Sequence, residues 1–146
     1  GDLTDINGGR QMLAGKYEHA SHQNGVDADI NYLTKAHAPG VSIVGRNKAF
    51  MKTALHVDEQ WDLFKETVGS GLVSRFFVNR SVKIGLCKYA QTKGEYAANK
   101  KVLKHLVPAA GHDMHFHLRL RCPADSPRCM PDGPLPSIGR DPAAGC

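Results

Sequence analysis

The chain contains no long apolar run and no concentrated block of charge. None of its 146 residues belongs to a stretch approaching the ~18 consecutive apolar residues of a membrane helix, so we expect no membrane span. No positively charged, apolar leader begins at Gly1, so any signal peptide is expected to have been removed or to lie upstream. The net charge of +5 favours acidic partners, but the scattered Lys and Arg residues, without interleaved aromatics, give no support for nucleic-acid binding.

Two motifs of common zinc proteins are also missing. The sequence has no Cys-x-x-Cys pair, which argues against a zinc ribbon. It has no His-Glu-x-x-His motif either, so the glutamate base of many zinc proteases is absent. A catalytic zinc site in this chain would therefore need a different base, and histidine is the natural substitute.

The four cysteines favour a disulfide framework. Cys122 and Cys129 bracket the turn-forming segment PADSPR, which suits a small disulfide-closed loop. Cys87 and Cys146 would then pair by elimination, although four cysteines allow three connectivities. Disulfides imply an oxidising compartment, so we expect a periplasmic or secreted protein.

Length and periodicity predict one α+β domain over residues 1–146, with an antiparallel central sheet, flanking helices and long loops. The apolar fraction of 41% is ordinary for a domain of this size. An irregular lead-in over 1–15 and a Pro/Gly-rich tail over 123–146 complete the chain, and Trp61 is expected in the core. The predicted strands cover 26–31, 73–79 and 114–121, and the predicted helices cover 58–68, 81–91 and about 95–106.

A histidine-rich strand is the most informative stretch. Residues 111–122 read GHDMHFHLRLRC, in which apolar and polar residues alternate. Because residues two apart on a strand share a face, His115 and His117 should project together, with Phe116 on the opposite, core-packing face. Two imidazoles aimed at one point favour a zinc or copper site. A histidine-rich surface strand is the alternative.

A second cluster lies far upstream, in the segment YEHASHQNGVDADIN over residues 17–31. It contains His19 and His22 in a loop, followed by Asp27 and Asp29 on a predicted strand. A histidine and a carboxylate in this arrangement suit a mixed His/Asp metal site. Alternatively, Asp27 and Asp29 are only the solvent face of an edge strand.

These residues carry a resemblance to known zinc peptidases. The pattern His22-x-x-Gly25-x-x-x-Asp29, followed by His115-x-His117, resembles the LAS-type zinc metallopeptidases. The surrounding phrases are closer still to one family, the penicillin-insensitive murein endopeptidases. The similar segments run in that family's order from about Gly8 to Cys129, and they are EHASHQNGVDADI, RFFVN with the downstream LC, and HDMHFHLRLRCPADSPRC.

The resemblance implies a LAS-type fold and a ligand set for one zinc ion per chain, namely His22, Asp29 and His117. It implies that His115 is catalytic rather than a ligand. The second-shell or substrate-binding positions that it implies are His112, His19, Ser21 and Gln23. Between Asn31 and Val57 the resemblance does not extend, which leaves His37, His56 and Asp58 as further candidates.

The implied function is zinc-dependent hydrolysis, by a zinc-activated water, of D-Ala–diaminopimelate cross-links in bacterial peptidoglycan, whose peptide stems would be the partner. His115 would act as a base or stabilise an oxyanion. Asp113 could orient a histidine, or be an exposed turn residue. Two alternatives stay open: a D,D-carboxypeptidase of the same fold, and a non-catalytic, zinc-stabilised wall-binding or signalling domain.

Overall fold

The computed structural model of the chain describes residues 12–13, 16–17, 26–127, 129 and 131–135. The strands are β1 (Met12–Leu13), β2 (Lys16–Tyr17), β3 (Asp27–Asn31), β4 (Val73–Val78), β5 (Leu106–Pro108) and β6 (His115–Leu120). The helices are α1 (Val57–Gly69), α2 (Arg80–Thr92) and α3 (Lys100–His105), with a 3-10 turn over Lys52–Ala54. No helix within these ranges is long and apolar enough to cross a membrane.

The central sheet has four strands in the order β3-β6-β4-β5. The first three are antiparallel and correspond to the three predicted strands, so the predicted α+β class is confirmed. The fourth strand corrects the prediction, because β5 is parallel to β4 and the sheet is mixed. A parallel pair needs a long crossover, and α2 and α3 provide it.

The helix predicted over about 95–106 is shorter in the structure: α3 begins at Lys100, and Leu106 already belongs to strand β5. The observed α3 ends at His105. Lys83, on α2, is buried, and its Nζ donates to the carbonyl oxygens of Leu103 and Leu106, each at 2.7 Å. These bonds satisfy carbonyls at the end of α3, where the helix itself provides no donor. The chain then continues as β5 beside β4.

The core lies between the sheet and the helices and is centred on aromatic rings. Phe64 of α1 packs edge-on against Phe76 of β4 and Phe116 of β6, with ring centroids 4.8 and 5.1 Å apart. Trp61 is buried as predicted, and its indole N–H donates to Glu95 at 2.8 Å. Edge-to-face packing of this kind adds to the area that each ring buries.

Helix α1 begins one residue earlier than predicted. Its N-cap is His56, and Asp58 lies in the first turn. The Asp58 carboxylate instead accepts a hydrogen bond from Tyr89 and pairs with Lys93 at 2.8 Å. Asp58 therefore joins α1 to α2.

The predicted loop disulfide Cys122–Cys129 is present. Cys87 is also disulfide-bonded, and its predicted partner, Cys146, lies outside the described residues. Most of the predicted lead-in also lies outside the described residues. Its described part is β1, which pairs with β2. Two residues of the predicted tail contact the sheet: Asp132 accepts a hydrogen bond from Ser74 on β4, and the Gly133 carbonyl accepts one from Arg75.

Gly85 is required where α2 meets the ring of Phe50. A Cβ at Gly85 would overlap that ring, because Phe50 packs directly on the glycine backbone. We expect Gly85→Ala to lower the free energy of unfolding by about 1–2 kcal/mol despite the better helix propensity of alanine. Urea unfolding followed by circular dichroism would measure the change.

Gly69 provides the matched control, because a Cβ there meets nothing within 4 Å. Gly69→Ala should leave stability unchanged or raise it by up to ~1 kcal/mol. Equal effects of the two substitutions would contradict this account of Gly85.

Candidate active site

One face of the sheet carries the polar side chains in two cross-strand rows. In the first row, His117 of β6 is paired with Asp29 of β3 and Phe77 of β4. In the second row, two positions along, Arg119 is paired with Asp27 and Arg75. The opposite face of β6 packs Phe116 into the core. The predicted alternation of β6 is confirmed, and it places both rows on the same side of the sheet.

His117 lies between two carboxylates. Its Nε2 is 2.7 Å from Asp27 Oδ1, and its Nδ1 is 3.2 Å from Asp29 Oδ1. The Asp27 side chain is fully buried and those of His117 and Asp29 are 7% and 17% exposed, so these acids are not the solvent face of an edge strand. Phe77 contacts the His117 ring edge-on, with centroids 5.3 Å apart.

The surroundings of His117 favour its charged form. Burial alone would lower the pKa of this imidazole, but its hydrogen bonds to Asp27 and Asp29, and their charges, raise the pKa to about 9. Burial raises the pKa of Asp27, yet hydrogen bonds from His117 and Arg119 outweigh that effect and lower it. Without a metal, an imidazolium therefore pairs with both carboxylates at neutral pH, and Arg119 adds a second positive charge beside Asp27.

The same geometry fits a zinc site. Two ligands of a tetrahedral zinc ion, bonded at about 2.0–2.1 Å, lie about 3.3 Å apart. The separation of His117 Nδ1 and Asp29 Oδ1 is 3.2 Å. Asp27 accepts from Nε2, and a carboxylate on one nitrogen of a histidine ligand fixes which nitrogen faces the metal. Nδ1 of His117 and a carboxylate oxygen of Asp29 would then hold the ion.

His115 and His112 lie beside this pair. His115 Nε2 is 3.8 Å from the same oxygen of Asp29, and the side chain is 31% exposed. The His112 ring is 5.2 Å from that of His115 and 6.3 Å from that of His117. Burial lowers the pKa of His112, which favours a neutral imidazole. Three imidazoles thus lie together, and those of His115 and His117 are within 4 Å of Asp29.

The loop that presents His112 is held in an uncommon conformation. Gly111 and His112 both have positive φ, 71° and 54°. The His112 carbonyl accepts from the Tyr32 hydroxyl and from the Asn79 backbone N–H, and the Asn79 side chain donates to the Gly111 carbonyl. A non-glycine residue with positive φ persists when its surroundings hold it, and here three hydrogen bonds do so.

Several predicted site residues lie outside the described part of the chain. These are the predicted ligand His22 and the positions His19, Ser21 and Gln23. Within the described ranges, no group of three or more His, Cys, Asp or Glu side chains could hold a metal. Of the three predicted ligands, Asp29 and His117 lie within the described residues.

The further candidates from the unmatched region do not join the imidazole cluster. His37 lies against His56, with ring centroids 5.4 Å apart, and Asp58 pairs with Lys93. Asp113 does not contact a histidine through its carboxylate in the described structure. It accepts a hydrogen bond from Ser42 at 2.8 Å and so ties the His112 loop to the segment before α1.

Four residues that support the cluster were not marked as site residues by any sequence pattern. Arg119 could have been found, because it is two residues from His117 on the same strand face. Asp132 pairs with Arg119 and Arg75 from a tail without periodicity, so no pattern marked it. Tyr32 holds the His112 loop through one hydrogen bond and Asn79 holds it through two. The spacing of residues in the sequence does not reveal such contacts.

The match to a family model decides the family. The model of the penicillin-insensitive murein endopeptidases matches residues 1–146. This chain belongs to that family. It is 36% identical to the penicillin-insensitive murein endopeptidase of Haemophilus influenzae, over 94% of this chain and 48% of the relative. The protein of the same name from Escherichia coli O1:K1 is 36% identical over 83% of this chain and 45% of the relative. The chain thus spans about half the length of these curated relatives.

Proposed function

We propose that this chain is a zinc-dependent murein endopeptidase that hydrolyses peptide cross-links of the D-Ala–diaminopimelate type in bacterial peptidoglycan. Family membership supports the peptidase activity and the wall substrate. The observation that carries the metal assignment is the 3.2 Å separation of His117 Nδ1 and Asp29 Oδ1, with Asp27 on the other nitrogen. The ligand set includes His22, and one ion is bound per chain in the periplasm or outside the cell.

Zinc, when bound, lowers the pKa of a bound water towards ~7 and polarises the carbonyl that is attacked. The described residues divide the remaining work. His117 and Asp29 hold the ion, and Phe77 shields one edge of the His117 ring. His115, 3.8 Å from Asp29 and partly exposed, moves a proton or stabilises the developing oxyanion.

Digestion of purified sacculi tests this function. The protein, loaded with one equivalent of Zn²⁺, should convert cross-linked muropeptide dimers into monomers. Prior removal of metal with a chelator should abolish the conversion, and Zn²⁺ should restore it, because the substrate carbonyl is activated only at the metal. Chromatography and mass spectrometry of the products provide the measurement.

The products also separate the alternatives. Release of free D-alanine without loss of dimers would identify a D,D-carboxypeptidase. Binding to sacculi without any product would identify a non-catalytic wall-binding domain. Conversion that persists in the fully chelated protein would contradict the zinc proposal while leaving the peptidase family unaffected.

A further inference from the structure

In the second cross-strand row two arginines face each other, and one carboxylate from the tail segment contacts both. Arg75 and Arg119 are directly opposite each other on neighbouring strands. Like charges at facing positions destabilise a sheet. Asp132 contacts both: its Oδ1 is 2.9 Å from Arg119 Nη1, and its Oδ2 is 3.1 Å from Arg75 Nε. Its side chain is only 13% exposed, so solvent screens these contacts weakly.

The same arginine continues the network to the candidate metal ligand. Arg119 Nε donates to Asp27 Oδ1 at 2.6 Å, and that oxygen is also 2.7 Å from His117 Nε2. Phe77 contacts both His117 and Arg119: the His117 ring meets it edge-on, and the Arg119 guanidinium is 5.7 Å from its ring centroid. Asp27 is fully buried, so its orientation depends on the few groups that contact it.

Asp132 is held in place by its own neighbours. Ser74 Oγ donates to its Oδ2 at 2.5 Å, and Arg75 Nη2 donates to the adjacent Gly133 carbonyl at 2.5 Å. The Cys122–Cys129 loop begins just after β6, and Asp132 lies three residues beyond the end of that loop. The tail segment is therefore held next to Arg75 and Arg119, on the sheet face that carries the site.

We propose that Asp132 is a positioning residue for the metal ligand His117 and acts through Arg119 and Asp27. With Asp132 present, its carboxylate bridges the two arginines and offsets part of their charge, and Arg119 stays turned toward Asp27. Asp27 is then held where it fixes the His117 ring, with Nδ1 toward Asp29. The inference rests on the proposed metal site, because it concerns how well His117 is set for that role.

Metal affinity of the whole chain tests the proposal. Replacement of groups that orient a metal ligand typically weakens metal binding 10–100-fold. We expect Asp27→Asn to raise the Zn²⁺ dissociation constant by about 10–100-fold, and Asp132→Asn by about 10-fold, by competition with a chromophoric chelator. The visible spectrum of the Co²⁺-loaded protein should change in both variants, which a loss of stability alone would not cause.

A double-mutant comparison tests the route through Arg119. If Asp132 acts through that residue, Arg119→Gln combined with Asp132→Asn should bind Zn²⁺ no more weakly than Arg119→Gln alone. Asp58→Asn is the matched control, because it removes another paired carboxylate, in contact with Tyr89 and Lys93. It should lower stability without changing the Zn²⁺ dissociation constant.

A metal-free measurement keeps this inference separate from the proposed function. Exchange of the His117 Nε2–H proton, followed by NMR on chelated protein, should be about tenfold faster in Asp132→Asn than in Asp58→Asn if the ring is loosened. Wild-type protein that binds no Zn²⁺ would overturn the proposed metal site, and this exchange rate would still decide the role of Asp132. Unchanged Zn²⁺ affinity and exchange in Asp132→Asn would overturn the inference.

Discussion

His115→Ala should lose about 10²–10⁴-fold in the rate of dimer cleavage while retaining close to one Zn²⁺ per chain. The His115 ring is partly exposed, and its Nε2 is 3.8 Å from Asp29 Oδ1, farther than the 3.2 Å of His117 Nδ1. Its removal therefore leaves the Asp29–His117 pair intact but takes away the imidazole available for proton transfer. The measurement is paired: zinc content by atomic absorption, and cleavage of purified muropeptide dimers.

His56→Ala is the matched control for this prediction. The His56 side chain is 34% exposed, close to the 31% of His115, but it lies against His37 at the start of α1. The control should cleave at the wild-type rate. If His115→Ala loses zinc as readily as a ligand variant, His115 is a ligand and the proposed division of roles is wrong.

Strand periodicity was enough to predict which site residues share a face. The alternation through His115, His117 and Arg119 requires these side chains to project together, whatever the strand pairs with. It also indicated that Asp27 and Asp29 are two apart on one strand. What periodicity could not supply is the register, which puts Asp29 opposite His117 and Asp27 opposite Arg119. Register is set by the packing of whole strands.

The features that were wrongly predicted or not predicted from the sequence depend on single tertiary contacts. Residues 106–108 form a strand because β4 offers a parallel partner and because Lys83 binds the last carbonyls of α3. Asp132 lies in a Pro/Gly-rich segment, and its position is set by two arginines from different strands. Neither contact leaves a periodic signal, so local patterns point to a helix end and a featureless tail.

His117→Ala should lose zinc and also destabilise the metal-free protein. In the chelated wild type, the His117 imidazolium, with its pKa raised to about 9, pairs with the buried Asp27 carboxylate and the half-buried Asp29 carboxylate. Removing one partner of a buried ion pair typically costs 3–5 kcal/mol. Arg119 still pairs with Asp27, so we expect the low end, about 3 kcal/mol, measured by urea unfolding in chelator.

His105→Ala distinguishes loss of a ligand from loss of a buried side chain. His105 is also buried, but it lies on α3, where its ring hydrogen-bonds the Lys101 carbonyl. A ligand that binds only the folded state stabilises it by an amount set by its concentration and dissociation constant. Saturating Zn²⁺ should therefore stabilise wild type and His105→Ala by the same increment and leave His117→Ala unchanged. An equal zinc-dependent increment in His117→Ala would show that the metal is held without His117, since linkage permits no stabilisation by an ion that does not bind.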